Sequence, residues 1–377
     1  MDRWVKFSIH YAAYHGYVSL GVCGLGVICN VFNIIVLTRA NMISTTNYIL
    51  TALAMSDLLT MLSYIPFALQ FYVMHGLEPS AVRNSQPWAH FFLFHVNFTV
   101  TTHTTSIWLG VVLSVFRYAY VHLGGARGDG TFSCGFHRAK HAVVAVYLGS
   151  IILLVPNYLS LTVRSHSHYN ERSNTSEELY DIVSIDTNGA YGHRVTTVNF
   201  WIHAVVIKLI PCALMLLFGL LLISTMRHSH RKSARLRTSS TRMQLQRQRL
   251  REHQRTTSML VVIIILFLLT ELPQGILALC SGLRPGFFED YYVPLGDVMD
   301  IVALVNNGIN FTLYCSMSKQ FRTTFLQLFC PQCLPPDKRK RPIPPSPVRS
   351  DKISYLEFSL LAFVLRPHCT YGVALEV

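Results

Sequence analysis

Charged side chains are scarce in this chain of 377 residues. Lys, Arg, Asp and Glu make up 14% of it, whereas a soluble globular domain carries about 25%. Hydrophobic residues make up 51%. This composition argues against an ordinary soluble domain. The shortage of charge is most marked in long apolar segments, each of which holds few ionisable residues.

Seven of these segments are long enough to cross a bilayer. A hydrocarbon core about 30 Å thick needs about 20 helical residues, and a helix satisfies its own backbone polar groups. The segments cover residues 16–37, 48–73, 88–118, 141–161, 198–226, 259–281 and 292–317. They predict an all-α membrane protein, a seven-transmembrane helix bundle whose membrane domain covers residues 16–317.

Acidic residues are also scarce between the fifth and sixth segments, where ten Lys or Arg residues accompany one acid, Glu252. Basic loops mark the cytoplasmic side and attract anionic membrane lipids. We therefore expect a multi-pass plasma-membrane protein with residues 1–15 as a short extracellular N-terminus and a cytoplasmic C-terminus. Basic runs that adjoin membrane segments argue against nucleic-acid binding. Asn174, in a sequon within a loop expected outside, is the candidate glycosylation site.

Polar residues recur at particular depths within the segments. They are Asn30, Asp57, the run 114–118 (SVFRY), Pro211, Pro273 and the run 310–314 (NFTLY). In this order the chain resembles the rhodopsin-like (class A) G-protein-coupled receptors over residues 16–333. The runs 33–39 (NIIVLTR), 94–98 (FHVNF) and 270–275 (TELPQG) resemble, more narrowly, invertebrate (nematode) myosuppressin and FMRFamide-type neuropeptide receptors. The resemblance implies a receptor and not an enzyme. Its partners would be an extracellular amidated neuropeptide ending in Arg-Phe-amide and a heterotrimeric G protein, with Gi/o favoured.

Asp57 needs partners, because an isolated carboxylate in mid-membrane costs about 2.5–3.5 kcal/mol. The resemblance implies that a ring of polar side chains faces it. These are Asn30, Ser106, Asn306, Asn307 and Asn310. Such a ring could hold a sodium ion, which would be the one cofactor of the protein, or could be a hydrogen-bonded network without an ion. Both alternatives stay open at this point.

Arg117 is the residue that the resemblance places against the G protein, with Tyr118 beside it. The acid that commonly precedes this arginine is missing, since Phe116 stands there. The acid expected near the inner end of the sixth segment is replaced by His253. We hypothesise that apolar packing of Phe116 holds the inactive state and that basal signalling is raised. The other expected switch residues are Pro273, Asn310 and Tyr314.

Glu271 stands where the family carries a tryptophan, two residues before Pro273. A proline bends a helix, so Pro273 provides a pivot. Two interpretations of Glu271 remain open: a protonated acid bonded to a polar neighbour, or an acceptor for the arginine of the ligand. We expect at least one of Glu271, Asp297 and Asp300 to receive that arginine, because guanidinium pairs bidentately with carboxylate. The other candidate ligand-binding residues are Gln70, Phe94, His95 and Trp201, although Trp201 could be an interfacial belt residue only.

Cysteine is absent from residues 160–200, and Phe92 occupies the position where the family has a cysteine at the top of the third segment. The disulfide of the family, worth about 2–4 kcal/mol, is therefore missing. Residues 318–333 predict an amphipathic eighth helix, followed by a cytoplasmic tail, 334–377, that is mostly disordered. Cys330 and Cys333 after this helix are either palmitoylated or free thiols. The spacing of the histidines matches no metal signature, so no metal is expected.

Other function classes lack the residues that they need. The seventh segment contains no lysine for a retinal Schiff base. The chain shows no paired repeats typical of transporters and no nucleophile–base pattern of an intramembrane protease. The remaining competitor is a chemosensory G-protein-coupled receptor for a small molecule. A cationic peptide is favoured by the aromatic, acid-bearing cavity expected at the outer side and by the acidic outer loop between the fourth and fifth segments. The acids of that loop are Glu171, Glu177, Glu178, Asp181 and Asp186.

Overall fold

The computed structural model describes residues 3–122, 130–170, 175–185, 190–235, 241–284 and 286–333. Its helices are α1 (Arg3–Leu37), α2 (Thr45–Ala68), α3 (Gln86–His122), α4 (Gly130–Leu153), α5 (Val155–Ser160), α6 (Ala190–Trp201), α7 (Ile210–Arg235), α8 (Thr241–Leu283), α9 (Val293–Met317) and α10 (Lys319–Phe329). Short π-helical segments, Leu69–Met74, Ile202–Leu209 and Phe288–Tyr292, continue or join them. Asn174 and the predicted disordered tail lie outside the described residues.

Seven stretches of helix in this part of the chain are long and apolar enough to cross a membrane, which confirms the predicted bundle. We call them spans one to seven. They are Arg3–Leu37, Thr45–Met74, Gln86–His122, Gly135–Ser160, Arg194–Arg227, Thr257–Leu283 and Phe288–Met317. Span one packs against spans two and seven, and span three packs against spans two, four, five and six.

Span one begins earlier in the chain than the predicted first segment, 16–37. Its helix starts at Arg3, whereas residues 1–15 were expected to form a separate N-terminal segment. The extension carries a row of rings at helical spacing, with centroids 6.5 Å apart for Trp4 and Phe7 and 5.9 Å apart for Phe7 and Tyr11. Side chains three and four residues apart meet on a helix surface, so these rings favour continuation of the helix beyond the apolar segment.

A β-hairpin between spans four and five was not predicted. Strands β1 (Leu161–Asn170) and β2 (Thr175–Ser184) pair antiparallel, with Leu161 opposite Ser184 and Asn170 opposite Thr175. We call the end of the bundle that carries these strands the hairpin end, and the opposite end the Arg117 end. The positions of the candidate sites are given below relative to these two ends.

Helix α10 is amphipathic, as expected for residues 318–333. Ser318 caps it by accepting a hydrogen bond from the backbone N–H of Phe321 at 3.2 Å. The Phe325 ring packs on Phe32 and Phe311, at centroid distances of 5.4 and 5.3 Å. This face joins α10 to spans one and seven at the Arg117 end. Cys330 and Cys333 follow the helix as exposed free thiols, a placement that suits palmitoylation and leaves it a prediction.

Candidate ligand and switch sites

Asp57 lies at the centre of a buried polar network and is 1% exposed. Ser106 Oγ donates to one carboxylate oxygen at 2.7 Å, and Asn310 Nδ2 donates to the other at 3.2 Å. Asn30 does not reach Asp57 directly. It donates to the backbone carbonyl of Asn307 at 3.1 Å, one step further out. The structure therefore brings two of the five predicted partners onto the carboxylate.

A cavity of about 30 Å³ separates this network from Arg117. Its polar lining includes Asp57, Ser106, Asn306, Asn307 and Asn310. A space of this size holds about one water molecule. Ionised carboxylate offers about four lone-pair positions, so Asp57 retains acceptor capacity beyond its two hydrogen bonds. The residues therefore suit a small cation as well as a water, and the sodium site stays a prediction.

Arg117 is buried, with 6% exposure, where spans three and six approach each other. Its Nη2 donates to Thr257 Oγ1 of span six at 2.8 Å. Phe116 is partly buried against the hydrophobic core at this end. The hydrogen bond to Thr257 thus ties span three to span six. The sequence did not indicate Thr257, because the resemblance implies an acid at the position of His253, whose side chain lies outside the described residues.

The remaining switch residues occupy packed positions. Tyr314 is 2% exposed, and its ring lies 5.4 Å from that of Phe321 in α10. Tyr118 stacks on His122 at 5.3 Å. Pro273 lies inside the continuous helix α8. Tyr314 and Tyr118 therefore lie at the Arg117 end, whereas Pro273 lies further along span six, near the middle of the bundle.

Glu271 is fully buried in span six and is paired with a lysine that was not among the predicted site residues. Lys208 Nζ of span five lies 2.5 Å from Glu271 Oε2, and His103 Nε2 of span three lies 3.3 Å from the same oxygen. Lys208 also donates to Gln274 Oε1 at 2.7 Å. The cation that Glu271 requires is therefore supplied from within the protein. A sequence signal existed, since Lys208 is the only lysine or arginine within residues 198–226.

Asp297 and Asp300 lie on span seven near the hairpin end and face tyrosines of span two. Tyr72 donates to Asp297 Oδ1 at 3.0 Å, and Tyr64 donates to Asp300 Oδ2 at 3.2 Å. The ring of His15 joins them, with Nε2 2.9 Å from the Tyr64 hydroxyl. We call these five residues the acidic cluster. Within the described residues, no lysine or arginine nitrogen lies within 4.0 Å of either carboxylate, and Asp300 is exposed.

The other predicted ligand-binding residues differ in whether their side chains are exposed or are engaged in contacts within the protein. His95 is 4% exposed, lies 2.8 Å from Ser63 Oγ and stacks on Phe67 at 4.3 Å. Gln70 is buried and donates to the Val82 carbonyl at 3.4 Å. Both are therefore occupied by the protein itself. Phe94 and Trp201 are exposed, but no contact described here brings either one to the acidic cluster.

Hydrogen bonds anchor the hairpin where the family has a disulfide. Asn84, which is 7% exposed, donates to Asp181 Oδ1 at 2.6 Å, and its carbonyl accepts from the backbone N–H of Tyr180 at 2.9 Å. The neighbouring Arg83 guanidinium lies 5.3 Å from the centre of the Phe71 ring, and burial lowers its pKa. Phe92, at the expected cysteine position, packs 5.0 Å from Phe71. Strand β2 is thus held by polar contacts to the loop between spans two and three.

Comparison with known proteins matches this architecture. Residues 17–332 match the family described as serpentine type 7TM GPCR chemoreceptor Srw. The chain is 29% identical to the Caenorhabditis elegans G-protein coupled receptor dmsr-1, over 88% of this chain and 71% of that protein. It is 26% identical to the Drosophila melanogaster sex peptide receptor, over 84% and 72%. It is 24% identical to the Drosophila melanogaster FMRFamide receptor, over 83% and 54%.

Proposed function

This chain belongs to the Srw family of serpentine, seven-transmembrane G-protein-coupled receptors, and we propose that it is activated by an amidated peptide ending in Arg-Phe-amide. The expected receptor class is confirmed, as is a multi-pass membrane protein that is not an enzyme. The observation that carries the peptide proposal is Asp300, an exposed carboxylate with no lysine or arginine within 4.0 Å in the described part of the chain.

Of the three predicted acceptors for the arginine of a ligand, Asp300 is the best placed. Its Oδ2 accepts from Tyr64, and its Oδ1 is left to pair with a guanidinium, which makes two parallel bonds with a carboxylate. Asp297 lies one helical turn away and adds negative charge. Glu271 is excluded as the first contact because it is buried and already paired with Lys208.

The surroundings of Asp300 are aromatic, which favours a ligand that carries a phenylalanine side chain. The Tyr64 ring lies 5.3 Å from Phe67, and Phe67 lies 5.8 Å from Tyr72 and 5.1 Å from Phe92. Aromatic pairs at such distances add about 0.5–1.5 kcal/mol beyond burial. The names of the relatives support the same ligand class, since one is a receptor for a sex peptide and another for FMRFamide.

Signalling would proceed by a shift of population. A peptide that enters from the extracellular side, at the hairpin end, would bind the active arrangement better and so favour it. Span six would swing at Pro273, and Arg117 would leave Thr257 to engage a heterotrimeric G protein, with Gi/o favoured. The amino terminus would then be extracellular and the carboxyl terminus cytoplasmic. A sodium ion or water at Asp57 would belong to the resting arrangement.

A second candidate is a chemosensory receptor for a small molecule, and the description of the matching family as chemoreceptors favours it. A panel of Arg-Phe-amide peptides and small amines, applied to cells and read by cyclic-nucleotide and calcium reporters, separates the two. Activation by amines alone would reject the peptide proposal.

The role of Asp300 is tested with the active peptide. Asp300→Asn should lower potency at least tenfold, because a charged hydrogen-bonded pair contributes about 1.5–3 kcal/mol. Asp290→Asn is the matched control, since Asp290 is an exposed acid at the same end. Potency of Asp300→Asn within about threefold of the wild type, a factor below 1 kcal/mol, would contradict the assignment.

A further inference from the structure

The ammonium group of Lys208 links three spans at the middle of the bundle, and Gln274 extends the link to a fourth. Lys208 Nζ, on span five, contacts Glu271 and Gln274 of span six and lies 3.2 Å from His103 Nε2 of span three. Gln274 in turn donates to the backbone carbonyl of Met299 on span seven at 3.0 Å. A buried charge group of this kind is rare in membrane helices and marks function.

The backbone around Lys208 is shaped to allow this approach. Lys208 lies in the π-helical segment Ile202–Leu209, and such segments occur frequently at functional sites. Gly275 faces it on span six, where a Cβ would lie 3.1 Å from Lys208 Cβ. A larger residue at 275 would therefore press against the lysine stem. The absence of a side chain there lets spans five and six come close at the depth of the ion pair.

The carboxylate of Glu271 is unevenly satisfied. Oε2 receives both Lys208 and His103, whereas the buried Oε1 has no hydrogen-bond partner within the described residues. Glu271 thus depends on contacts at one oxygen. It lies two residues before Pro273, so rotation of span six at that proline displaces the carboxylate relative to Lys208. Separation of the pair deprives the fully buried Glu271 carboxylate of its lysine cation, and a buried charge that loses its counter-charge is strongly destabilised.

We propose that Lys208 is a positioning residue whose ion pair with Glu271 holds span six in the arrangement seen here, in which Arg117 bonds Thr257. Separation of the pair favours the active arrangement. This inference rests on the proposed function only where it takes movement of span six as the activating step. The proposed role of the ion pair does not depend on a peptide ligand. It gives Glu271, which stands where the family carries a tryptophan, a partner and a role.

The test compares ligand-free signalling of three receptors at equal surface density: the wild type, the neutral pair Lys208→Met with Glu271→Leu, and the reversed pair Lys208→Glu with Glu271→Lys. Reporters of dissociation for each of the four G-protein classes supply the readout. The neutral pair should signal at least about threefold above the wild type, as expected when a two-state equilibrium loses a contact specific to one state. The reversed pair should return to the wild-type level.

A merely structural role predicts a different pattern. It would lower the thermal stability of the purified neutral pair without raising its ligand-free signalling, and that result would overturn the proposal. If the neutral pair is retained inside the cell, the double variant Lys208→Gln with Glu271→Gln replaces it, because two amides keep a hydrogen bond without charge. Ligand-free signalling of this variant equal to that of the wild type also overturns the proposal. Failure of every peptide on the wild type would reject the proposed ligand and leave this result standing.

Discussion

Removal of the Thr257 hydroxyl should raise signalling in the absence of ligand. In the structure this hydroxyl accepts the hydrogen bond from Arg117 Nη2 at 2.8 Å across spans three and six. Thr257→Val keeps the branched shape and removes the acceptor. In the proposed mechanism span six leaves Arg117 on activation, so the lost bond destabilises the resting arrangement and not the active one.

The size of the effect follows from the nature of the bond. A hydrogen bond to a charged group contributes about 1.5–3 kcal/mol, and Arg117 is 6% exposed, so little water replaces the lost acceptor. The lower figure corresponds to about a tenfold change in an equilibrium constant. A receptor with about 1% of its molecules active without ligand would then have about 10% active.

The assay measures ligand-free G-protein dissociation at equal surface density, with Thr257→Ser as the matched control because serine retains the hydroxyl. The serine variant should signal like the wild type. Basal signalling of Thr257→Val within about twofold of wild type, a difference of less than 0.5 kcal/mol, would refute the role given to this hydrogen bond.

Three further predictions follow from the other sites. Phe116→Asp should lower basal signalling, because an acid beside Arg117 restores a charged restraint; an unchanged or higher basal level would reject the hypothesis. Asn84→Ala should speed hydrogen exchange in β2, because it removes the partly buried hydrogen bond to Asp181, worth about 0.5–1.5 kcal/mol. A reductant should leave agonist potency unchanged. Equal exchange rates in the variant and the wild type would contradict the anchoring role of Asn84. Replacement of sodium by choline in the assay medium should change agonist potency in the wild type and not in Asp57→Asn. The same change in both receptors would argue against a sodium ion at Asp57.

The spans were predictable because apolar length alone determines them. The sequence also singled out Asp57, Arg117 and Glu271, and the structure places each of them in buried polar contacts; their roles stay predictions. It did not identify their partners. Lys208 and Thr257 lie on other helices, and which helix faces meet depends on rotation and depth that no local pattern encodes. The hairpin was missed for a related reason, because its strands lack strong apolar alternation and its anchoring contact, Asn84 with Asp181, comes from a distant loop.

The three candidate acids can be ranked by one physical rule, that a carboxylate within a membrane bundle needs a partner. Glu271 has Lys208, and its exposed fraction is zero. Asp297 accepts from Tyr72, a neutral donor that leaves the negative charge uncompensated. Asp300 accepts from Tyr64 in the same way and is in addition exposed. A ligand cation gains most where a charge is both uncompensated and accessible. We therefore assign the arginine of the proposed ligand to Asp300, and we assign Glu271, which is paired with Lys208, to the proposed movement of span six.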